Sequence, residues 1–438
     1  MRKCAAILCA AIMTVSACAC ADDATPPATV TATVPRITTT TSAAPTKNYT
    51  EDPGKTPLHI ARATSFSDGV AFVVYQDDKG SEHAAAINTA GDVLFELPEG
   101  MPFDGPGYKD GIRVVNNTIY DKTGTAIASP EMSGYDTLLT GSCGGYVLAK
   151  KTVRVTSAET DPDAEPSAPI TEVQIGVLNR KGEWKYSLSA EHPIAVAMAA
   201  ATQPVEEWEY YASAGVLRVR VDAAGQHQYY HFDDNTLTVD YARYASFPYS
   251  PNEVAGIYRM AEDGSKKVVV ENVIGDYFFA DAFIGRAVTP PIIEGTEAVI
   301  GTAKLYDYEG NELMDLTNYP LSGPLAFYFN GYLTLPTVNE TGTRLLVTLN
   351  AQGQPVMEPL VLGMRDAYYP PDISGFVVES YSADGQVSYR HYDYTGAVTE
   401  YTDVISFAGF NEGLAMVTLR GDDQWHYYIN HRAEIVLR

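Results

Sequence analysis

The chain has 438 residues, a formal net charge of −25 and a hydrophobic content of 45%. The acidic balance excludes a nucleic-acid-binding protein, which needs a basic surface to neutralise phosphates, and it argues against adhesion to anionic lipid through surface charge. The hydrophobic content lets most of the chain fold around a core, and no apolar run reaches the roughly 18 residues of a membrane-spanning helix.

The first residues have the organisation of a bacterial export signal. Two basic residues precede the apolar stretch 5–17, which is too short to span a bilayer. The stretch ends in Val15-Ser16-Ala17-Cys18, which resembles a lipobox, the motif whose cysteine is acylated and becomes the new N-terminus. The resemblance implies a signal peptide over residues 1–17 and lipid attachment at Cys18.

Two locations follow from the possible processing of this segment. Acylation at Cys18 would hold the protein on the outer face of a bacterial cell membrane, with the lipid as its whole contact with that membrane. The alternative is cleavage after Ala19-Cys20-Ala21, an A-x-A site that would release a secreted protein.

Residues 18–57 are rich in Thr, Pro and Ala and include the run Thr38–Thr41. They contain almost no large apolar side chains, so they cannot bury a face. We predict a disordered linker that spaces the folded domain, residues 58–438, away from the membrane.

The folded part repeats two turn motifs. The first is an apolar residue, Asn or Asp, two polar residues and Gly, a pattern typical of a tight hairpin turn in which Gly adopts positive φ. Clear copies are at Asn88–Gly91, Asp121–Gly124, Asn179–Gly182, Asp307–Gly310, Asn350–Gly353 and Asp393–Gly396, and weaker ones at Phe232–Asn235, Glu262–Gly264 and Ile429–Arg432. The second motif, a small polar pair and Gly before alternating apolar residues, precedes most of these turns; examples are Ser67-Asp68-Gly69, Lys109-Asp110-Gly111, Ser374-Gly375 and Asn411-Glu412-Gly413.

The first motif recurs on average about every 43 residues, which is enough for three or four short strands per unit. Such units cannot bury both faces alone and stack on their neighbours. We therefore predict an all-β fold, a β-propeller of about eight blades, in which residues 58–61 complete the last blade beside residues 433–437. An open β-solenoid is the alternative. Residues 192–201 fit either a short helix or a loop.

The chain's two ends carry a family resemblance. Phe410–Val417, with Trp425 and Tyr428-Ile429-Asn430, resembles a WG repeat, a bacterial β-repeat module, and Phe66–Val73 resembles it as well. Trp425 is followed by His426, so the Trp-Gly pair of that family is missing. The middle segment Gly256–Lys266 looks instead like a hairpin of TolB-like propellers. The resemblance implies an exported interaction scaffold and carries over no catalytic residue.

The sequence contains none of the common catalytic or metal-binding motifs, so we predict no catalytic residue, metal ligand or cofactor. Cys143 is the one cysteine of the predicted domain, and its glycine-rich surroundings agree better with a repeat turn than with a nucleophile. His227 and His231 lie about 13 Å apart if they share a strand, too far for one metal. His391, His426 and His431 occupy comparable strand or turn positions, from which a metal site assembled across blades stays an open alternative.

Two further features have competing interpretations. The insertion 156–170 carries Glu159, Asp161, Asp163 and Glu165, which agree with a solvated loop better than with a weak calcium site. The abundant tyrosines suit core packing between blades, or binding of a sugar or protein where they are exposed; they include Tyr210-Tyr211, Tyr229-Tyr230, Tyr368-Tyr369, Tyr389, Tyr392, Tyr394 and Tyr427-Tyr428.

The sequence therefore predicts a membrane-tethered extracytoplasmic binding protein without catalytic activity, whose partner is a protein, peptide or glycan at the cell surface. The residues that contact this partner are unknown from the sequence. The alternative is a propeller-type hydrolase or lyase that acts on extracellular polysaccharide. A pocket with two titratable groups within hydrogen-bond reach of a common point would favour the enzyme.

Overall fold

The structure is a computed structural model of the chain. It describes residues 40–43, 58–155, 170–198, 210–211, 216–220, 227–239, 244–247, 256–260, 265–279, 281–288, 300–323 and 325–437. All of these belong to one compact unit, Arg36–Arg438. Among them, no helix is long and apolar enough to cross a membrane.

The described residues form nine antiparallel sheets that follow one another along the chain. Sheet 1 comprises β2 (His59–Ala63), β3 (Val70–Gln76), β4 (Glu82–Asn88) and β5 (Val93–Glu96); sheet 2 comprises β6 (Ile112–Val115), β7 (Thr118–Asp121) and β8 (Ala126–Ala128); sheet 3 comprises β9 (Thr137–Leu138), β10 (Val147–Val155), β11 (Ile170–Leu178) and β12 (Trp184–Ser187). Sheet 4 comprises β13 (Tyr210–Tyr211), β14 (Val216–Arg220), β15 (His227–Phe232) and β16 (Leu237–Val239); sheet 5 comprises β17 (Tyr244–Phe247), β18 (Gly256–Met260) and β19 (Lys266–Glu271).

The remaining four sheets have four consecutive strands each, and sheet 8 carries one more. Sheet 6 comprises β20 (Val273–Phe278), β21 (Ala282–Val288), β22 (Ile300–Asp307) and β23 (Glu312–Asp315); sheet 7 comprises β24 (Phe327–Phe329), β25 (Tyr332–Val338), β26 (Arg344–Leu349) and β27 (Leu360–Val361). Sheet 8 comprises β28 (Ala367–Tyr368), β29 (Gly375–Tyr381), β30 (Val387–Asp393) and β31 (Val398–Tyr401), with β1 (Thr40–Ala43) added; sheet 9 comprises β32 (Val404–Asn411), β33 (Leu414–Leu419), β34 (Asp422–Ile429) and β35 (Ile435–Leu437).

The predicted hairpin chemistry is present at the turns between third and fourth strands. The Asn88 side-chain oxygen accepts hydrogen bonds from the backbone N–H groups of Ala90 and Asp92, at 3.0 and 2.9 Å. Gly91 has a φ of +80°, the left-handed value that the turn needs. The weak copy at Asn430 makes the same two bonds, and Ala433 takes the glycine position with a φ of +61°.

Several of these turn glycines also allow a sheet to approach the preceding one closely. A methyl group at Gly124 in sheet 2 would lie 2.5 Å from the Phe95 ring in sheet 1, and one at Gly310 in sheet 6 would lie 2.6 Å from the Val269 carbonyl oxygen in sheet 5. Gly91 of sheet 1 meets Leu437 of sheet 9 in the same way. Sheet 9 therefore stands to sheet 1 as any sheet stands to its successor.

The hydrophobic core lies between neighbouring sheets. Separate clusters join sheets 1 and 2, 2 and 3, 3 and 4, 5 and 6, 6 and 7, 7 and 8, and 8 and 9. A further cluster joins sheet 9 back to sheet 1 through Leu414 and Tyr428 packed on Ile60 and Phe66. This closure confirms the predicted propeller and is incompatible with an open solenoid, and the nine sheets exceed the predicted count of about eight by one.

The predicted mode of closure is wrong. Residues 59–63 form the first strand of sheet 1 and pair with β3, whereas β35 supplies the fourth strand of sheet 9. Residues 59–63 pair with β3, which begins at Val70, and such a local pairing has a smaller loop-closure entropy cost than pairing with the distant β35. The ring is therefore closed by side-chain packing between two complete sheets.

Two short helices interrupt the strands. α1 (Pro130–Ser133) begins at the N-cap Ser129, whose hydroxyl accepts a hydrogen bond from the Met132 N–H, and ends at Gly134 with a φ of +68°. α2 (Pro193–Met198) occupies the segment for which helix and loop were both open, and its Ile194 and Met198 are buried in the core between sheets 3 and 4.

Within the predicted linker 18–57, the structure describes four residues. They form β1, which pairs in parallel with β31 at the edge of sheet 8, from Thr40 opposite Val398 to Ala43 opposite Tyr401. A strand added at a sheet edge needs only its backbone groups and β-compatible residues such as Thr, so the lack of large apolar side chains does not prevent this pairing.

Candidate functional site

The turns between first and second strands and between third and fourth strands emerge at the same end of every sheet, because successive strands are antiparallel. We call this end the turn face. We call the turns between first and second strands the inner turns; they have two residues with positive φ, as at Asp68-Gly69 and Glu412-Gly413. In sheet 2, whose first described strand is β6, the equivalent turns are Asp110-Gly111 before β6 and Asp121–Gly124 between β7 and β8. Turns with two positive-φ residues match the right-handed twist of the strands that they join.

Carboxylates link these inner turns from sheet to sheet. The Glu412 carboxylate of sheet 9 accepts a hydrogen bond from the Gly69 N–H of sheet 1, at 2.9 Å. Asp68 accepts one from the Gly111 N–H of sheet 2, at 2.7 Å, and Asp110 accepts one from the Ser142 hydroxyl of sheet 3, at 2.7 Å. These hydrogen bonds form a carboxylate relay from sheet 9 through sheets 1 and 2 to sheet 3. The relay includes the junction of sheets 9 and 1, where the ring closes, and holds four consecutive turns in fixed relative positions.

The turns between third and fourth strands project different side chains from one common position. The residue after the Asn or Asp is exposed or half-buried in each described copy, and its chemistry varies: it is Thr89, Lys122, Arg180, Asp234, Tyr308, Ala351, Tyr394 and His431. The repeat constrains the first and fourth turn positions for backbone reasons and leaves this second position free. The turn face is therefore a regular frame that carries non-repeating side chains.

At four described junctions the second-position residue reaches the preceding sheet. Tyr394 of sheet 8 stacks on Tyr332 of sheet 7, and Asp234 of sheet 4 accepts a hydrogen bond from the Tyr146 hydroxyl of sheet 3 at 3.2 Å. Lys122 of sheet 2 forms an ion pair with Asp68 of sheet 1, with 2.8 Å between Nζ and Oδ1. His431 of sheet 9 contacts Asp372 of sheet 8, with 2.7 Å between Nε2 and Oδ2.

The junction of sheets 8 and 9 contains a cluster of four polar side chains, which we call the Asp372 cluster: Asp372, Ser374, His391 and His431. The Ser374 hydroxyl lies 2.6 Å from Asp372 Oδ1 and 3.1 Å from His391 Nε2. His391, at the end of β30, is 4% exposed, whereas the side chains of Asp372 and His431 are 16% and 23% exposed. The cluster is thus buried on the His391 side and open to solvent on the other.

Burial and hydrogen bonding set the protonation states of the cluster. Desolvation lowers the pKa of His391 to about 4, and the neighbouring His431 adds to this effect, so that His391 is neutral at pH 7. Desolvation alone would raise the pKa of Asp372, but hydrogen bonds from His431 and Ser374 outweigh it and hold this pKa at about 2. The cluster therefore presents a carboxylate beside a neutral imidazole.

Aromatic side chains hold the cluster in place. The Phe410 ring packs on the His431 ring with 4.0 Å between centroids, and the Tyr401 hydroxyl donates a hydrogen bond to the His431 carbonyl oxygen at 3.3 Å. Tyr394 donates to the Asp372 carbonyl oxygen at 3.3 Å and stacks on Tyr332 of sheet 7. Imidazole nitrogens and a carboxylate oxygen are metal ligands, and the same groups can transfer protons.

Sequence reasoning did not select this cluster, although it named His391 and His431. His391 and Asp372 belong to sheet 8 and His431 to sheet 9, and Asp372 was not considered. The repeat motif contained a usable signal, because His431 occupies the second turn position, which points toward the preceding sheet. His426 lies in β34 and has a ring nitrogen, Nδ1, that is buried without a hydrogen-bond partner, and it is not part of the cluster.

The other candidate residues have different outcomes. His227 and His231 lie in β15, but their side chains are outside the described part of the structure, as are Cys18 and the acidic residues of the 156–170 insertion. The described tyrosines serve mainly as core: Tyr230, Tyr389, Tyr392, Tyr401, Tyr427 and Tyr428 are buried. Tyr394 and Tyr332 on the turn face are half-buried.

Cys143 is buried at 2% exposure beside the inner turn of sheet 3, and burial raises the pKa of its thiol to about 12. Because the thiolate is the reactive form, we expect iodoacetamide to alkylate Cys143 at pH 8 at least 100-fold more slowly in the native full chain than in urea. Mass spectrometry of the peptide that contains Cys143 measures both rates. Equal rates in the two states would contradict a purely structural cysteine.

No protein-family model matches the chain, and no curated protein matches it. Among solved structures, it is similar to a Pyrococcus horikoshii acylaminoacyl peptidase, with 12% identity and a TM-score of 0.30 over 83% of this chain and 57% of that one. It is also similar to TolB from Acinetobacter baumannii, with 11% identity and a TM-score of 0.24 over 85% of this chain and 79% of that one.

A third similar structure is the β-propeller domain of the Trilobed protease from Pyrococcus furiosus, with 12% identity and a TM-score of 0.31 over 80% of this chain and 99% of that one. This chain spans 57% of the length of the acylaminoacyl peptidase. At these TM-scores the similarities carry no argument about the site. The chain's own sheet order, packing and closure define it as a β-propeller, and its turn face is the candidate binding surface.

Proposed function

We propose that this protein is a membrane-tethered extracytoplasmic binding protein, lipid-anchored at Cys18, that uses its turn face to bind a glycan, peptide or protein. The observation that carries the proposal is the regularity of the turn face. Its turns share one backbone conformation, whereas the side chain at the second turn position differs in chemistry from turn to turn. If the turn face served only solubility, its turns would not need the fixed relative positions that the carboxylate relay imposes.

The lipobox at Cys18 and the WG-repeat resemblance of the two ends support the same function. Both are typical of exported proteins, and the second is typical of interaction scaffolds. The chemistry of the face includes exposed Arg180 and Lys122, half-buried Tyr394 and the carboxylate of Asp234. Aromatic and charged groups on a rigid surface suit recognition of sugars and of peptides.

The test combines a ligand screen with two matched pairs of variants. Melting curves of the full chain with extracellular glycans, peptidoglycan fragments and calcium identify a ligand, since one at 100 times its dissociation constant stabilises by about 2.7 kcal/mol. Thr89→Arg with Ala351→Arg then places bulk at two exposed second positions of the turn face. We expect this pair to weaken binding at least 10-fold.

The control pair is Asp78→Arg with Glu340→Arg. These exposed residues hold the same second position in the turns that begin at Asp77 and Asn339, which join second and third strands at the opposite end of the sheets. The control pair changes the net charge of the protein more than the test pair does, so an effect of charge alone on binding would be larger with the control pair. Weakening by the control pair alone would contradict the turn face as the binding surface.

The second candidate is a hydrolase or lyase that acts on extracellular polysaccharide, and the Asp372 cluster is the observation that favours it. Asp372 and His391 both lie within hydrogen-bond reach of the Ser374 hydroxyl, which is the arrangement of two titratable groups that such an enzyme requires. Release of reducing ends from such polysaccharides, abolished by Asp372→Asn and retained in Asp104→Asn, a change of an exposed carboxylate outside the cluster, would establish the enzyme in place of the binding protein.

A further inference from the structure

We propose that Asp372, His391 and His431 bind a divalent transition-metal ion of the zinc class at the junction of sheets 8 and 9. This site is separate from the binding function of the turn face and does not depend on it. Within the described part of the chain, these side chains form the one group of three His, Cys, Asp or Glu residues whose ligand atoms all lie within 4.8 Å of one another.

The separations suit a small metal ion. Two ligand atoms at about 2.0–2.1 Å from a tetrahedral Zn²⁺ are about 3.4 Å apart. In the metal-free arrangement His431 Nε2 lies 2.7 Å from Asp372 Oδ2, so that these atoms must move about 0.7 Å farther apart to admit the ion. His431 is in a turn and partly exposed, and rotation of its ring provides this movement without a change in the strands.

The other two ligands are already oriented. The Ser374 hydroxyl donates to Asp372 Oδ1 at 2.6 Å, and this leaves Oδ2 directed toward His431. His391 is fixed in β30 by burial, at 4% exposure, and its Nε2 lies 3.1 Å from the Ser374 hydroxyl. Ser374, Tyr394 and Tyr401 supply the surrounding hydrogen bonds that metal sites need to keep their ligands in place.

The donor set selects the class of ion. Two imidazole nitrogens with one carboxylate are typical of zinc and of other first-row transition metals, whereas calcium and magnesium prefer six or more oxygen ligands. Three protein ligands leave at least one coordination position for water or a ligand atom, and the exposed side of the cluster gives access to it.

A comparison inside the molecule distinguishes the cluster from a simple ion pair. Lys122 and Asp68 make the equivalent contact between sheets 2 and 1 with one cation and one carboxylate. The junction of sheets 8 and 9 contains a second imidazole, that of the buried His391, whose ring centroid lies 5.1 Å from that of His431. The Lys122–Asp68 pair offers a metal only one carboxylate, because an ammonium group has no lone pair to donate, whereas the junction of sheets 8 and 9 offers two imidazoles and a carboxylate.

The test is titration of the chelator-treated full chain with Co²⁺ and Zn²⁺, followed by visible absorption and calorimetry. We expect one site with the visible bands of four- or five-coordinate cobalt, displaced by Zn²⁺, and affinity at least 100-fold lower in His431→Gln and in Asp372→Asn. Both residues are partly exposed, and unchanged melting curves of the metal-free variants would show that they fold. His391→Gln is a third variant, interpreted only if its melting curve is also unchanged.

The matched control is His83→Gln. His83 also lies beside carboxylates, with 3.4 Å from its Nε2 to Asp77 Oδ2 and 3.9 Å from its Nδ1 to Glu96, yet it stands outside the cluster, so its loss should leave the affinity unchanged. Cobalt bound by a cysteine thiolate has a near-ultraviolet thiolate-to-cobalt band, so the absence of this band would show that no cysteine ligates the ion. No uptake, a thiolate band, or uptake that survives His431→Gln and Asp372→Asn would each overturn the proposal.

Discussion

Replacement of Arg113 by Ala is expected to lower the free energy of unfolding by about 4 kcal/mol or more, because it removes a fully buried side chain, leaves a cavity and takes the donor away from several part-buried carbonyl groups. Arg113 in β6 is 0% exposed. Its guanidinium donates to the carbonyl oxygens of Pro106 at 2.8 Å and Pro102 at 2.9 Å, with longer bonds to those of Phe103 and Asp104.

No carboxylate is among the groups that Arg113 contacts. Its guanidinium lies over the Phe72 ring, 4.0 Å from the centroid, and desolvation lowers its pKa. The side chain therefore holds the connection between sheets 1 and 2 through backbone carbonyls and one aromatic face. Arg113→Lys should also lose most of this stability, because an ammonium cannot reproduce the planar fork of donors.

Urea unfolding followed by fluorescence and circular dichroism measures the effect, with coincident transitions as the condition for converting midpoints into free energies. The matched control is Arg62→Ala. Arg62 contacts the same connection, over the Phe103 ring and beside Asp104, but both members of this ion pair are exposed. We expect a change of about 1 kcal/mol or less there; equal effects of the two variants would show that burial is not what makes Arg113 important.

Replacement of Tyr428 by Ala is expected to lower the free energy of unfolding by about 3–5 kcal/mol, the range for a buried aromatic side chain. Tyr428 in sheet 9 is 0% exposed and packs on Phe66 of sheet 1 with 4.9 Å between ring centroids. Its hydroxyl donates to the Thr64 carbonyl oxygen at 2.6 Å. Since the ring is closed by packing and not by a shared sheet, this residue holds its two ends together.

The control Tyr428→Phe retains the ring and removes only the hydrogen bond to Thr64, for which we expect a loss of about 1–2 kcal/mol. Hydrogen exchange separates closure from general instability: in Tyr428→Ala, protection should fall first in β2 and β34 and later in β21 and β22 across the ring. A uniform fall in protection, or an unchanged urea midpoint, would contradict the role of Tyr428 in closure.

The turn chemistry shows how far local sequence determines this fold. Asn88, Asp121 and Asn430 begin their turns as predicted, because the side-chain and backbone groups that bond lie within four residues of one another. The same hydrogen-bond pattern occurs at Asp77–Gly80 and Asn339–Gly342, which join second and third strands and are not part of the predicted repeat. Hairpins, strand alternation and the all-β class are therefore readable from the sequence.

Closure and the Asp372 cluster required the tertiary structure. Whether residues 59–63 extend sheet 9 beside β35 or begin sheet 1 beside β3 depends on loop-closure entropy, which a motif does not encode. Asp372 and His431 are 59 residues apart in the chain, and their contact depends on the angle at which sheet 9 packs on sheet 8. Arg113 looks like an ordinary polar strand residue until folding of the connection 102–106 and packing on Phe72 of sheet 1 bury it among four carbonyls. The turns and the repeat can be predicted from sequence because their interactions are local. The closure and the candidate metal site depend on tertiary packing, because their partners meet only across sheets.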